Sequence, residues 1–245
     1  MPELPEVEVI RRRLASRIQG AVIRGVGVSD KKLRRQLTPE EQQRLRGRRL
    51  VDLSRRGKYL FLHLDDGSQL LIHLGMTGRL LLLTDSCPPL PHVHLLLEFA
   101  DGRRLAFQDI RRFGQVAFYP AGVEPEILTR LGPEPFAPDL TPAALAAKAA
   151  GQRRPLKNFL LDGRYLAGLG NIYACEALFA ARLHPRTPAG ELTPRIWERL
   201  LAEIHRILQE AIAAGGTTIA NFADCEGQAG LFALRLQVYG RAGEP

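Results

Sequence analysis

The sequence predicts an α+β fold, in which an N-terminal antiparallel β-sandwich with flanking helices precedes a helical module. Between about residues 22 and 119, apolar residues fall in short β-rich runs separated by tight-turn dipeptides. Prolines gather between residues 124 and 138, as is typical of a linker. Beyond it, apolar residues recur at helical spacing. We therefore expect an N-terminal domain over residues 1–134 and a second domain over residues 135–245.

Local signals define the elements of the first domain. A helix is predicted over residues 5–18, where apolar residues recur at helical spacing behind prolines and acidic residues. The predicted strands are Arg49–Leu53, Tyr59–Leu64, Gln69–Leu74, Arg79–Leu83, His94–Phe99, Leu105–Gln108 and Gln115–Tyr119. Asp66-Gly67 and Asp101-Gly102 lie between such runs, and each dipeptide predicts a hairpin turn.

The second domain begins with helix signals and ends on a strand-like run. The predicted helices are an Ala-rich helix opened by Thr141-Pro142, Pro155–Leu161, Ile172–Leu183, and a long helix from Thr193-Pro194 to about Ala213. Gly215-Gly216 marks the C-terminal end of the long helix. Residues 235–239 have the composition of a short strand.

Composition favours a polyanionic partner. The chain of 245 residues carries a formal net charge of +8. Its basic residues are grouped at Arg11–Arg13, Lys31–Arg35, Arg44–Arg49, Arg55–Lys58, Arg103-Arg104, Arg111-Arg112 and Arg153-Arg154. A single cluster is usually a solvated face, but seven clusters predict a surface that follows phosphates. No apolar run is long enough to span a membrane and the N-terminus is not a signal peptide, so a cytoplasmic location is expected.

The three cysteines do not form a recognisable framework. Cys87, Cys175 and Cys225 are far apart, odd in number and without any Cys-x-x-Cys spacing. This pattern argues against both a disulfide framework and a zinc site within the chain.

The N-terminus combines a proline amine with a carboxylate. If Met1 is removed, Pro2 carries a secondary amine beside Glu3. An α-amino group has a pKa of about 8, against about 10.4 for lysine, so more of it is unprotonated and nucleophilic at neutral pH. The alternative is that Pro2 and Pro5 only shape the start of a helix.

Two loops supply the side chains that base extrusion from duplex DNA requires. Met76 lies between glycines in a predicted strand-to-strand loop, and Arg111 and Phe113 lie at another strand-to-strand corner. An enzyme that extrudes a base needs an apolar wedge and a donor-rich side chain to fill the hole. Each motif alone would more often be core or an ordinary turn.

A glycine pair precedes the third predicted helix of the second domain. Gly168 and Gly170 would let the backbone approach a ligand, and Asn171 stands where the helix begins. Backbone amides and the Asn171 side chain could then converge on one phosphate. The alternative is that Asn171 is an ordinary N-cap.

Together these stretches make the chain resemble the formamidopyrimidine-DNA glycosylase family over essentially its whole length. The shared motifs, in order, are Pro-Glu-Leu-Pro-Glu, Gly-Lys-Tyr-Leu, His-Leu-Gly-Met, Asp-x-Arg-Arg-Phe-Gly and Gly-x-Gly-Asn-Ile-Tyr. The resemblance implies a helix-two-turn-helix second domain and a monomer acting on damaged double-stranded DNA. It implies excision of oxidised purines followed by strand cleavage at the abasic site.

The resemblance also implies a set of catalytic roles. Pro2 would attack C1′ of the damaged nucleotide and form a Schiff base, while Glu3 would protonate the sugar ring oxygen. Lys58 would contact the phosphate near the lesion and donate a proton in elimination, and Glu6 would be a second carboxylate near the site. We expect burial to raise the pKa of Glu3, which would make it a proton donor near neutrality.

DNA contacts follow from the same resemblance. The residues it implicates are His73, Met76, His92, Arg111, Phe113, Arg153, Lys157 and Asn171. Met76, Arg111 and Phe113 would fill the void left by the extruded base, and Gly216–Leu236 would close over that base. Asp162 also falls on a family position, where we expect it to support the fold.

The chain departs from the family at its C-terminal end. Family members usually continue into a Cys₄ zinc finger, so one Zn²⁺ is expected only if the native chain continues past Pro245. No cofactor is expected within residues 1–245, and both DNA affinity and δ-elimination are in doubt without the finger.

Two other functions remain open from sequence alone. The related endonuclease VIII branch shares the N-terminal Pro-Glu but prefers oxidised pyrimidines; Leu4 and the void-filling trio favour the purine branch. A non-catalytic damaged-DNA-binding protein would need no N-terminal secondary amine, so Pro2 argues against it.

Overall fold

The computed structural model describes residues 2–84, 87, 90–217, 232–241 and 243. Its helices are α1 (Leu4–Ile18), α2 (Pro39–Leu45), α3 (Glu126–Thr129), α4 (Pro142–Ala149), α5 (Leu156–Leu161), α6 (Asn171–Ala180) and α7 (Pro194–Ala213). Its strands are β1 (Ile23–Val28), β2 (Leu50–Arg56), β3 (Tyr59–Leu64), β4 (Gln69–His73), β5 (Arg79–Leu83), β6 (Val93–Phe99), β7 (Arg104–Gln108) and β8 (Gln115–Tyr119).

Two four-stranded antiparallel sheets form the N-terminal half. Their strand orders are β1-β6-β7-β5 and β2-β3-β4-β8. Inward-facing apolar residues of both sheets and of α1 share one core, in which Leu14, Leu62 and Leu97 are fully buried. The α+β class is therefore confirmed. The predicted turns at Asp66-Gly67 and Asp101-Gly102 are also confirmed, since both glycines have positive φ between paired strands.

Helices α4 to α7 build a second core. Trp197 of α7, Tyr173 of α6 and Phe159 of α5 are buried in it. The first core uses residues 7–118 and the second uses residues 140–236, while the exact boundary at residue 134 stays a prediction. Helix α1 contacts both halves, because it packs against β2, β3 and α7.

Three elements were not expected from sequence: strand β1, helix α2 and the single-turn helix α3, which lies in the predicted linker. Strand β1 was missed because its two glycines weaken the strand pattern in the sequence. One of them, Gly25, leaves room for the Glu98 side chain, since a Cβ added to Gly25 would lie 2.3 Å from Oε2 of Glu98. Helix α2 buries only Leu45, so it lacks apolar periodicity, and its signal is the capping box of Thr38 and Glu41.

The strand predicted at residues 235–239 is wrong. Phe232–Arg235 form a 3₁₀ turn. The backbone N–H groups of Gln237, Val238 and Tyr239 then donate to the buried carboxylate of Glu176, at 2.8, 3.0 and 2.8 Å. Three successive donors facing one side chain cannot belong to a strand, where they alternate in direction.

The described helices include none that is both long and apolar enough to cross a membrane.

Candidate active site and nucleic-acid interface

The N-terminal segment is fixed on the first turn of α6. The buried Glu3 carboxylate accepts hydrogen bonds from the backbone N–H groups of Gly170 (2.8 Å), Ile172 (2.9 Å) and Tyr173 (3.3 Å). The N–H of Leu4 donates to the carbonyl of Gly168 at 3.1 Å. Helix N-termini bind anions because their amides are unpaired and the dipole is positive there. The N-terminal end of α6 therefore binds a carboxylate of the same chain, that of Glu3. Pro2, the residue before Glu3, is buried.

The glycines before α6 admit the N-terminal segment. A Cβ on Gly170 would lie 2.3 Å from Cδ of Glu3, and a Cβ on Gly168 would lie 2.6 Å from the Leu4 side chain. The expectation that these glycines also bring backbone to DNA stays a prediction. The N-cap alternative for Asn171 is wrong, because Gly170 is the N-cap and Asn171 is the exposed first residue of the helix.

Glu6 is the second buried carboxylate of the site. It accepts hydrogen bonds from the Glu3 N–H (2.8 Å), the Tyr173 hydroxyl (2.6 Å), and the N–H and hydroxyl of Thr217 (2.9 and 3.0 Å). It thus connects α1, α6 and the end of α7. Because its oxygens are occupied by these donors, Glu6 fixes the backbone of Glu3 in place.

Lys58 lies on a two-residue hairpin turn between β2 and β3. Arg56 pairs with Tyr59 across the turn, and Gly57 adopts φ +57°, as the first residue of a type II′ turn requires. Burial lowers the pKa of Lys58, while the charges of Glu3 and Glu6 oppose that shift. The structure therefore brings Glu3, Glu6 and Lys58 into one electrostatically coupled site.

Burial raises the pKa of Glu3 above its ordinary value, which confirms the direction expected from sequence. The charge of Lys58 and the amides of Ile172 and Tyr173 lower it, and the charge of Glu6 adds to the increase. Because the pKa of Glu3 is raised and that of Lys58 is lowered, each neutral form is more accessible near neutral pH than it would be in water.

Glu134 anchors the Lys58 turn, and sequence reasoning assigned it no such role. Its carboxylate accepts hydrogen bonds from the Gly57 N–H (2.6 Å) and the Arg56 guanidinium (3.0 Å) and forms a 2.8 Å ion pair with Arg55. Arg55 in turn contacts Glu8 of α1 at 3.2 Å. The basic residues at positions 55, 56 and 58 indicate in sequence that an acidic partner lies near the turn, but not that the partner is Glu134.

Glu8 stays ionised within this network. Burial raises its pKa, but hydrogen bonds from Arg11 and Arg12 and the charge of Arg55 outweigh that effect and lower the pKa to about 2. Helix α1 is thus tied to β2 by an ion pair that persists at neutral pH.

The three predicted void-filling residues lie together. Met76 is 42% exposed, and the exposed guanidinium of Arg111 lies 4.7 Å from the centre of the Phe113 ring. The two loops touch through their backbones, since a Cβ on Gly75 would lie 2.6 Å from the carbonyl carbon of Phe113. Exposed Arg34 covers the same ring at 4.8 Å, a contact that sequence reasoning did not foresee.

His73 lies between the two clusters. Its ring is 4.7 Å from that of Tyr59, and its Nδ1 accepts a hydrogen bond from the Gly75 N–H at 3.2 Å. Burial, with the charges of Lys58 and Arg34, lowers its pKa to about 4. His73 is therefore neutral at pH 7, and its hydrogen bond with the Gly75 N–H supports the Met76 loop.

The remaining predicted contacts are distributed over both halves. His92 and Arg153 are exposed and Lys157 is half-buried. Asp162 holds Arg164 at 2.7 Å and Arg154 at 2.7 Å, and these hydrogen bonds keep its pKa well below the usual range. This arrangement agrees with the supporting role expected for Asp162. Of the predicted base-closing segment Gly216–Leu236, residues 218–231 lie outside the described residues.

The part of the chain that the structure describes contains no group of three or more His, Cys, Asp or Glu side chains placed to hold a metal ion. These residues do not fit a zinc site, and no step of the reaction is assigned to a metal. Cys175 is a free thiol.

The packing of Gly170 generates a stability prediction. Gly170→Ala places a methyl group against the Glu3 carboxylate, and we expect the free energy of unfolding to fall by about 1–3 kcal/mol, the usual cost of overpacking. Gly163→Ala is the matched control, because its nearest neighbour would be a Leu131 methyl at 3.4 Å; a change below about 1 kcal/mol is expected there. Urea unfolding measures both. Equal stability of the two variants would contradict the assigned contact.

Comparison with known proteins identifies the family. Residues 1–116 match the profile of the formamidopyrimidine-DNA glycosylase N-terminal domain, and residues 131–223 match the profile of the helix-two-turn-helix domain of the same enzymes. The formamidopyrimidine-DNA glycosylase of Paracoccus denitrificans is 44% identical over all of this chain and 90% of its own length. That of Acidithiobacillus ferrooxidans is 43% identical over the same shares.

Solved structures agree in fold. The Fpg protein of Lactococcus lactis in complex with abasic-site DNA superposes with a TM-score of 0.89 at 35% identity, covering 99% of this chain and 90% of that one. The Fpg protein of Thermus thermophilus superposes with a TM-score of 0.88 at 41% identity, covering 100% and 89%. With both domain profiles matched and full-length relatives above 40% identity, the chain belongs to the formamidopyrimidine-DNA glycosylase family of DNA repair enzymes.

Proposed function

We propose that this enzyme removes oxidised purines, 8-oxoguanine and formamidopyrimidines, from duplex DNA and then cleaves the strand at the abasic site. The observation that carries the proposal is the fixation of Pro2-Glu3 on the amides of α6, in the same coupled site as Lys58. Relatives of this fold have been solved in complex with abasic-site and Fapy-dG-containing DNA. We expect one monomer to act on one duplex.

The reaction begins at the N-terminus after removal of Met1. The lone pair of the Pro2 nitrogen forms a bond to C1′, the glycosidic bond breaks, and the damaged base leaves with the bonding electrons and takes up a proton. Glu3 donates a proton to the ring oxygen as the C1′–O4′ bond breaks. Once bonded to C1′, the Pro2 nitrogen loses its own proton, which balances the proton that the base takes up. The electron pair left on nitrogen then forms the C=N⁺ bond of a Schiff base as the C1′–O4′ bond breaks.

Strand cleavage follows from the positive charge on that Schiff base. Loss of a C2′ proton sends electrons into the iminium and expels the 3′ phosphate, which is β-elimination; loss of a C4′ proton expels the 5′ phosphate in the same way. Hydrolysis of the iminium returns the amine. Lys58 is suited to move protons in these steps because burial lowers its pKa, although the charges of Glu3 and Glu6 oppose that shift.

The proposed DNA-facing surface consists of exposed and half-buried side chains. In the proposal, Met76, Arg111 and Phe113 occupy the space that the extruded nucleotide leaves, and they present an apolar tip, a guanidinium and a ring on adjoining loops. The DNA backbone is contacted by exposed and half-buried polar side chains of both halves, namely His92, Arg153, Lys157 and Asn171.

Covalent trapping tests the nucleophile. With borohydride and abasic-site DNA, we expect the mature chain to give a covalent adduct whose linkage maps to Pro2 by peptide mass spectrometry. The matched control is the same chain with Met1 retained, in which the Pro2 nitrogen is an amide and cannot form an iminium; its adduct at Pro2 should be at background. Pro2→Gly keeps an amine but loses the rigid ring, and a lower yield is expected. An adduct mapping to Lys58 instead would contradict the assignment.

The pH profile tests the acid. The active form has Pro2 neutral and Glu3 protonated, so excision should rise with pH as Pro2 deprotonates and fall again as Glu3, whose pKa is raised, loses its proton. Glu3→Gln should lower kcat/KM for excision by about 10²–10⁴-fold, the usual contribution of a general acid, and abolish the decline at high pH. Glu126→Gln, at an exposed pair on α3, should leave the profile unchanged. A bell-shaped profile in Glu3→Gln would refute the role.

Substrate preference tests the purine assignment. Duplexes carrying 8-oxoguanine should be cleaved faster than duplexes carrying thymine glycol, because the Met76, Arg111 and Phe113 set is the one that resembles the purine branch. Single-turnover rates on the two duplexes at equal enzyme concentration provide the measurement. A rate on thymine glycol equal to or above that on 8-oxoguanine would assign the enzyme to oxidised pyrimidines.

A further inference from the structure

A fully buried carboxylate lies directly behind the void-filling residues. Asp109 follows the last residue of β7 and has no exposed surface. Its Oδ1 accepts hydrogen bonds from the Thr77 hydroxyl and from the Arg111 N–H at 3.3 Å, and its Oδ2 accepts one from the Gly114 N–H at 2.8 Å. One side chain therefore binds the Met76 loop through Thr77 and both ends of the Arg111–Phe113 corner.

The backbone of the same residue holds a third segment. The Asp109 N–H donates to the carbonyl of His92 at 3.0 Å, and the Asp109 carbonyl is 3.0 Å from Nε2 of buried His94. Nδ1 of His94 lies 2.9 Å from the Ser29 hydroxyl, which fixes the ring. The Met76 loop, the Arg111–Phe113 corner and the segment of His92 thus meet at Asp109.

These loops contain backbone conformations that need external support. His92 and Arg112 adopt φ +60° and +57°, although neither is glycine, and Gly75 adopts φ +63°. Side chains with a Cβ occupy this region at a cost, and such positions persist where surrounding contacts determine them. The hydrogen bonds to Asp109 are among the contacts that hold the segments containing these positions, and Asp109 is the residue that all three segments share.

We propose that Asp109 is the positioning residue of the base-extruding apparatus, holding Met76, Arg111, Phe113 and His92 in one fixed arrangement against the duplex. This inference rests on the proposed function. It predicts a specific division of labour: Asp109 acts where a stacked base must be displaced and its space filled, and it has no part in the chemistry at Pro2. A generic structural carboxylate would affect both steps equally.

Asp109→Asn is the sharpest test, because it keeps the shape and replaces one acceptor oxygen by a donor that faces an N–H or a hydroxyl. Two reactions are measured for each variant. The first is excision of 8-oxoguanine from duplex DNA, with 2-aminopurine beside the lesion to report unstacking. The second is borohydride trapping on single-stranded abasic DNA, which has no base stack to open. Asp101→Asn, at the exposed turn before β7, is the matched control.

We expect Asp109→Asn to lower both duplex excision and the 2-aminopurine signal by about tenfold, while single-strand trapping stays within about twofold of wild type, as for loss of one buried acceptor. Thr77→Val removes the hydroxyl that donates to Asp109 and accepts from the Arg111 N–H at 3.2 Å. It leaves the hydrogen bond between Asp109 and Gly114 in place, so it should show the same pattern with a smaller loss. If Asp109→Asn does not fold, the Thr77→Val variant provides the test of the positioning role.

Three results would overturn the inference or its basis. Equal losses in both reactions in a folded variant would make Asp109 a general structural residue. Wild-type duplex excision in both variants would remove the role altogether. Absence of single-strand trapping by the wild-type enzyme would be a failure of the proposed function, separate from either of these.

Discussion

The rest of the site depends on the bond between the Glu3 carboxylate and the amides at the start of α6. This contact joins residues that are 167 to 170 positions apart in the chain, and it connects the β-sandwich half to the helical half. It places the N-terminal nitrogen and its neighbouring acid at a fixed point between two cores. The same amides favour the ionised carboxylate while burial opposes it, so the proton affinity of Glu3 reflects a balance between these effects.

Three further carboxylates hold backbone at two places in the molecule. Buried Glu6 and half-buried Glu134 hold backbone N–H groups near the chemistry, and buried Asp109 does the same behind the DNA-facing loops. In each case one acidic side chain satisfies donors from segments distant in sequence. Such donors would be costly to bury unpaired. The exposed residues proposed to act on DNA are consequently mounted on backbone whose donors are already engaged.

Sequence predicted most of the fold and the members of the site, but not their connections. Strands such as Tyr59–Leu64 and Gln115–Tyr119 were predicted with correct bounds, because alternation and turn dipeptides are local signals. β1 was missed because Gly25 makes room for Glu98 on another strand, and the C-terminal strand was predicted wrongly because Glu176 binds that backbone instead. The glycines before α6 were recognised as points of close approach, yet what approaches them is the N-terminal segment. Partners of this kind are brought together only by the tertiary fold.

The segment that separates the two halves is more than a spacer. Glu134 lies within its proline-rich sequence, and Gly132 contributes a carbonyl to the Arg56 guanidinium at 2.5 Å. Because Gly132 and Glu134 bind the turn that carries Lys58, inserting or deleting a residue just before Gly132 would displace that turn. Lys58, a member of the reactive centre, would move with it. The number of residues in this part of the connection is therefore fixed by its contacts with the Lys58 turn, although a proline-rich composition is typical of linkers whose length varies. Natural variation in length should accumulate nearer residue 122, where the chain has not yet reached the turn.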